Sequence, residues 1–120
     1  MTKISILHNP RCSKSRATLQ LLKEHGIQPE IIEYLKNPPT PEKLSSILQR
    51  LNYSPRECIR SKEPAYQTHQ LNNPALSDAA LIQLMCEHPS VIERPIVYND
   101  KKAVIGRPPE NILHLLEYSK

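Results

Sequence analysis

The pattern of side chains changes from strand-like to helix-like at Cys12, and this change restricts the possible folds more than any other feature. A β-branched run over residues 4–6 predicts a strand, which Asn9 and Pro10 should end. Beyond Cys12, residues suited to one face of a helix recur at intervals of three and four: Thr18, Leu21, Leu22 and His25. Gly26 can close that helix. Cys12 is therefore predicted at the carboxyl end of a strand and the amino end of a helix.

A thiol in that position should be unusually reactive. Unpaired backbone N–H groups and the positive end of the helix dipole point toward Cys12, and they should lower its pKa below the value of about 8.5 for free cysteine. Three cations stand nearby in the sequence: Arg11, Lys14 and Arg16. The segment therefore favours a nucleophile that coincides with an anion site. The alternative for Cys12 alone is a small buried hydrophobic residue.

Length and composition predict one domain without disulfides or a metal. A chain of 120 residues can bury a core without covalent support. Its three cysteines form no C-x-x-C pair, because Ser15 stands where the second cysteine would be, so a disulfide framework is not expected. The histidines show no ligand spacing with the cysteines, and we expect no metal site.

Several kinds of partner are not expected from the sequence. The net charge of +4 is modest and forms no basic block, which disfavours nucleic acid. No apolar run approaches the roughly 20 residues that cross a bilayer, which disfavours a membrane. The first residues lead directly into a strand without the apolar segment of a signal peptide, so a cytoplasmic location is predicted.

The order of the remaining predicted strands and helices is typical of one α/β fold. A second strand is predicted at residues 30–35, which completes a parallel βαβ unit. Helices fill the region of about 40–90, with these predicted N-caps: Thr40, Ser54 and Ser77. Residues 92–98 then lead into a strand that pairs with residues 103–105, and a last helix follows. The predicted fold is a thioredoxin-like, glutaredoxin-type four-stranded mixed sheet, βαβ then ββα, with a helical insertion between the halves.

Three further arginines have no place in an apolar stripe: Arg60, Arg94 and Arg107. Arg60 is predicted on the short helix that Ser54 opens, Arg94 at a strand entry and Arg107 at a strand exit. Guanidinium groups suit tetrahedral oxyanions because they are permanently charged and bind two oxygens at once. Taken singly, each could be an ordinary solvated arginine. Together with an activated thiol, they favour a shared oxyanion site.

The sequence contains four separated motifs: His8-Asn9-Pro10-Arg11-Cys12-Ser13, Tyr34-Leu35 with Asn37-Pro38-Pro39, Glu93-Arg94-Pro95 and Gly106-Arg107-Pro108-Pro109-Glu110. In these motifs it resembles the glutathione/glutaredoxin-linked arsenate reductase family, ArsC. The resemblance implies that Cys12 attacks arsenate and that His8 favours the thiolate. It implies the following residues around the oxyanion: Arg60, Arg94 and Arg107, with Arg11 and Ser13 beside the thiol.

The same resemblance implies a reaction path. Cys12 would form a cysteinyl-arsenate adduct, glutathione would add to it, and glutaredoxin would supply the reducing equivalents that release arsenite. Glutathione is then a co-substrate, and no bound cofactor is expected. Thioredoxin-like folds also place a cis-proline opposite the active cysteine, which predicts a cis Arg94–Pro95 bond.

Two alternatives remain open at the level of sequence. A single thiol in C-x-x-S can exchange with glutathione mixed disulfides, so a monothiol oxidoreductase would have the same motif. Regulators of the Spx type, which bind RNA polymerase, belong to the same superfamily, but they generally carry C-x-x-C. Convergence of the three arginines would favour the oxyanion reductase over both alternatives.

Overall fold

The structure is a computed structural model that describes residues 3–117. Its contacts divide the chain into two compact units: one combines Met1–Asn37 with Arg94–Lys120, and the other is Pro38–Glu93. The predicted single domain of residues 1–120 also includes residues 1–2 and 118–120, which lie outside the described residues. The single-domain organisation, with its insertion at about 40–90, stays a prediction.

The first unit contains a four-stranded mixed sheet. Its strands are β1 (Ser5–Leu7), β2 (Glu30–Ile32), β3 (Ile96–Tyr98) and β4 (Ala103–Ile105), in the order β2-β1-β3-β4. β1 pairs with β2 in parallel, whereas the β1–β3 and β3–β4 pairs are antiparallel. Two helices belong to this unit, α1 (Ser13–Glu24) and α5 (Ile112–Glu117). The predicted βαβ and ββα halves are therefore confirmed.

Helix α1 begins at the cysteine, as the sequence predicts. Cys12 is its N-cap, with extended backbone angles, and the helix ends before Gly26, whose φ of 76° requires the left-handed conformation that glycine adopts without strain. Leu22 is fully buried on its inner face. It packs in a core formed by side chains from the sheet and α5: Ile4, Ile6, Val97, Ile112 and Leu115. This core fixes the strand–helix junction that carries the thiol.

Strand β2 is shorter than predicted. It ends at Ile32, because the chain turns where the Glu33 carbonyl accepts hydrogen bonds from the backbone N–H groups of Lys36 and Asn37. β2 lies at the edge of the sheet and leaves Ile31 46% exposed. Lys3 forms a salt bridge of 3.4 Å with Glu30 on this strand. The prediction of a strand over residues 30–35 was thus wrong for its second half.

The Arg94–Pro95 peptide bond is cis, which confirms the prediction from the thioredoxin-like resemblance. A second cis bond, Arg107–Pro108, was not anticipated.

The second unit is built from helices. They are α2 (Pro41–Leu51), α3 (Pro64–Thr68) and α4 (Asp78–Glu87), with 3₁₀ turns at Pro55–Cys58 and Pro89–Val91. The predicted caps are present: the Thr40 hydroxyl accepts from the Lys43 amide at 3.2 Å, and Ser77 caps α4 in the same way. In the described part of the chain, no helix has the length and apolar character needed to cross a membrane.

The short helix opened by Ser54 does not extend to Arg60, contrary to the prediction. It ends at Cys58, and the chain then pairs with the segment before Arg94. Ile59 and Ile92 form an antiparallel bridge, flanked by two backbone hydrogen bonds of 2.7 and 2.8 Å. This pairing replaces the extra helical turn, because the backbone amide of Arg60 donates its hydrogen bond to the Val91 carbonyl.

Gly106 follows β4 and lies against α1 and Pro95. A Cβ atom there would be 2.9 Å from both Pro95 Cγ and Thr18 Cγ2, closer than packed carbon atoms approach.

We expect Gly106→Ala to lower the free energy of unfolding by about 1–3 kcal/mol in urea denaturation. The matched control is the double variant Thr18→Ala/Gly106→Ala, in which part of the obstruction is absent. Its loss should be smaller than the sum of the single losses, and strict additivity would contradict the steric explanation.

Candidate active site

The Cys12 sulfur lies beside an arginine that is distant in sequence. Arg107 Nη2 is 3.5 Å from Cys12 Sγ, and both side chains are partly buried. A hydrogen bond from the Arg94 side chain to the same sulfur lowers the pKa of Cys12. Two of the three predicted arginines are therefore brought to the thiol by the ends of β3 and β4.

Arg107 is oriented by its own surroundings. Its Nε donates a hydrogen bond of 2.7 Å to the Arg94 carbonyl oxygen, which fixes the plane of the guanidinium. Asn111 supports the same turn by donating from Nδ2 to the carbonyls of Arg107 and Ile105, each at 3.1 Å. Sequence reasoning did not identify Asn111, since a lone asparagine after two prolines suggests only a turn.

The pKa of Cys12 is lowered from its ordinary value. Burial acts in the opposite direction and is the largest single influence, but several groups outweigh it together. These are the backbone amides of Ser15 and Lys14, the hydrogen bond from Arg94 and the charge of Arg107. The sulfur makes no capping hydrogen bond of regular geometry, so the amides act chiefly as oriented dipoles. The shift therefore has the direction expected from the sequence, and a thiolate at neutral pH stays a prediction.

His8 and Ser15 form a buried pair beneath the cysteine loop. His8 Nδ1 is 2.6 Å from Ser15 Oγ, and the Asn9 amide donates to the same oxygen at 3.0 Å. Burial lowers the pKa of His8, so the ring is neutral at pH 7 and its Nδ1 can accept the Ser15 hydroxyl proton. His8 therefore acts on the cysteine loop through Ser15 and without a positive charge. The sequence analysis noted Ser15 only as a missing cysteine.

The other two thiols lie in the second unit and have raised pKa values. Burial raises the pKa of Cys58 to about 12; a hydrogen bond from the Glu93 backbone opposes this shift and the Glu93 charge adds to it. Burial, followed by the charges of Glu42 and Glu87, raises the pKa of Cys86 to about 11. Both residues are therefore thiols at neutral pH. Their protonation disfavours a nucleophilic role for either.

The remaining predicted residues have different surroundings. Arg11 and Ser13 are exposed on either side of Cys12, and the Arg11 amide donates to Asn9 Oδ1 at 3.0 Å. Arg60 lies in the second unit, where it forms an ion pair with Glu93. The roles of these three residues toward an oxyanion stay predictions. Within residues 3–117, no group of three or more His, Cys, Asp or Glu side chains is arranged to hold a metal ion.

The sheet order and the cysteine at the amino end of α1 define a protein of the thioredoxin-like class. The profile of the ArsC family matches residues 7–115, and the chain belongs to this family. It is 47% identical to the arsenate reductase of Neisseria meningitidis, over 93% of this chain and 97% of that protein. It is 49% identical to the uncharacterized protein YfgD of Escherichia coli, over 97% and 99%. The solved structure of the arsenate reductase from Vibrio cholerae superposes with a TM-score of 0.90 at 46% identity, covering 94% of this chain and 97% of that one.

The pKa of Cys12 can be measured from the rate of its alkylation. We expect the iodoacetamide rate, followed by peptide mass spectrometry, to rise with pH through a midpoint below about 8.5. Arg107→Ala should move this midpoint upward, because a nearby positive charge is lost. Arg50→Ala, which removes a helix-surface arginine bonded to Ser46, should leave it unchanged. A wild-type midpoint at or above that of free cysteine would contradict the thiolate assignment.

The buried hydroxyl of Ser15 should contribute measurably to stability. Ser15→Ala leaves the Asn9 amide without its acceptor and His8 Nδ1 without its hydrogen-bond partner. We therefore expect a loss of about 1–3 kcal/mol in the free energy of unfolding, measured in urea. Ser61→Ala, at an exposed serine, should change it by less than about 0.5 kcal/mol. Similar small losses in both variants would mean that the hydrogen bonds of Ser15 add nothing net.

Proposed function

We propose that the protein is an arsenate reductase that converts arsenate to arsenite through a covalent adduct at Cys12. The observation that carries the proposal is the distance of 3.5 Å between Arg107 Nη2 and Cys12 Sγ, with Arg94 acting on the same sulfur. A nucleophile and permanent cations thus occupy one place. The relatives named arsenate reductase, at 46–47% identity over nearly the whole chain, support the same substrate.

The first step depends on the thiolate and on charge neutralisation. Arsenate is an anion, so it approaches a thiolate only if its oxygens are neutralised. Arg94 and Arg107 can supply this, and their binding strengthens as negative charge moves onto the oxygens. The sulfur forms a bond to arsenic, and one oxygen leaves as water after protonation. The product of this step is a cysteinyl-arsenate adduct in which arsenic is still pentavalent.

Reduction requires two electrons from thiols outside this chain. We propose glutathione and glutaredoxin as their source. Two thiols become a disulfide, their electron pair reduces arsenic to the trivalent state, and one oxygen of arsenic leaves as water with the two thiol protons. Water then cleaves the sulfur–arsenic bond, which releases arsenite and restores Cys12 as a thiol. The two other cysteines are protonated thiols in the second unit, which favours an external reductant over an internal disulfide. No bound cofactor is needed, and these reductants suit the predicted cytoplasmic location.

Further residues complete the proposed site by family resemblance. Arg60 would bind the oxyanion as a third guanidinium, and Arg11 with Ser13 would stand beside the reacting sulfur. His8 would keep the cysteine loop in place through Ser15, which contributes an amide toward the sulfur.

The test is a coupled assay that follows NADPH oxidation with arsenate, glutathione, glutaredoxin and glutaredoxin's reductase system. Wild-type protein should turn over only with arsenate, and Cys12→Ser should abolish the rate. Arg94→Ala, Arg107→Ala and Arg60→Ala should each lower it about 10- to 100-fold, because a charge-assisted hydrogen bond to the transition state is lost. Arg107→Lys should restore little, since an ammonium cannot bind two oxygens in one plane.

Arg50→Ala serves as the matched control and should retain the full rate. Equal small losses in all four arginine-to-alanine variants would reject the oxyanion role. A wild-type protein that reduces glutathione mixed disulfides at a rate independent of arsenate would instead support the monothiol oxidoreductase.

A further inference from the structure

Arg60 and Glu93 form an ion pair to which the proposed reaction assigns no role. Arg60 Nη1 donates to Glu93 Oε1 at 2.9 Å. The two side chains are only 23% and 26% exposed, so the contact is partly shielded from water. A partly buried, hydrogen-bonded pair holds its geometry better than an exposed pair of long side chains.

The ion pair is not needed to join the two segments that carry it. The Arg60 amide donates to the Val91 carbonyl at 2.7 Å, and the Glu93 amide donates to the Cys58 carbonyl at 2.8 Å. With the Ile59–Ile92 bridge, these bonds already align the backbones. The contact of the Glu93 carboxylate therefore serves mainly to orient the Arg60 side chain.

The contact occupies only part of the guanidinium. Glu93 holds Nη1, whereas Arg60 Nε is buried and has no hydrogen-bond partner among the residues that the structure describes. Nε and Nη2 form the side of a guanidinium that binds two oxygens of one anion in a plane. A buried N–H donor without an acceptor is costly, so this side of Arg60 is suited to receive an anion.

We propose that Glu93 is a positioning residue, which holds Nη1 of Arg60 so that the Nε and Nη2 side is presented to two oxygens of the oxyanion substrate. This inference rests on the proposed function, because it assumes that Arg60 binds the oxyanion. Glu93 does not touch the substrate. It reduces the number of orientations that the arginine must lose when the anion binds.

The test compares two neutral replacements by calorimetric titration of the full-length protein with sodium arsenate. Glu93→Gln keeps an acceptor oxygen for Nη1, whereas Glu93→Ala removes it, and both remove the negative charge. The Ala variant should therefore bind arsenate about tenfold more weakly than the Gln variant. In an Arg60→Ala background, the difference between Gln and Ala should disappear, which a general loss of structure would not produce.

Three further variants serve as controls for this comparison. Glu93→Met is also neutral and lacks the acceptor oxygen, so it should also bind more weakly than the Gln variant, and it replaces the Ala variant if that one does not fold. Glu87→Gln and Glu87→Ala form the control pair, because Glu87 accepts a hydrogen bond from Gln83 on the surface of α4. These two should bind arsenate alike.

The outcomes separate the inference from the function on which it rests. Wild-type protein that binds no arsenate overturns both. If wild-type protein binds arsenate but the Gln and Ala variants at position 93 bind it equally, only the positioning role is rejected. A Gln–Ala difference that persists without the Arg60 side chain rejects it too, since Glu93 would then act by another route.

Discussion

The buried hydroxyl of Ser15 determines how the chain passes from β1 into α1. It accepts from the Asn9 amide and bonds to the neutral ring of His8, so one side chain joins the end of the strand to the first turn of the helix. The backbone of the same residue lowers the pKa of Cys12. Loop shape and thiol ionisation therefore depend on one residue. A cysteine at position 15 would be a weaker hydrogen-bonding partner for both groups, so serine supports this loop better than cysteine would.

The arginines of the two units are oriented by different means, and the difference affects their charge. Arg107 is fixed by a neutral carbonyl oxygen, which sets its direction without cancelling its charge, so this charge lowers the pKa of Cys12. Arg60 is fixed by a carboxylate, which compensates most of its charge at 2.9 Å. The first arrangement leaves more net charge for long-range attraction of an anion. The second gives a defined geometry at short range, where hydrogen bonds outweigh net charge.

The sequence predicted the parts of the fold and site that depend on local patterns. Alternating and helical spacing located β1 and α1, and the caps Thr40 and Ser77 were visible as single residues before apolar stripes. Contacts between distant segments were not visible. Asn111 and the Glu93 carboxylate act on arginines through pairings that no local pattern encodes. The end of β2 at Ile32 was also missed, because Tyr34 and Leu35 continue the apolar pattern past the point where the backbone turns.

The small size of β2 has a consequence for how the protein behaves at high concentration. An edge strand offers unpaired N–H and C=O groups to any other extended chain, and an exposed isoleucine such as Ile31 would add an apolar surface to that contact. Here only three residues are extended, and the Lys3–Glu30 salt bridge places charge beside them. A neighbouring strand would gain few hydrogen bonds and would have to displace hydrated charges. The edge therefore resists growth into intermolecular sheets, although it carries one of the most exposed apolar side chains described.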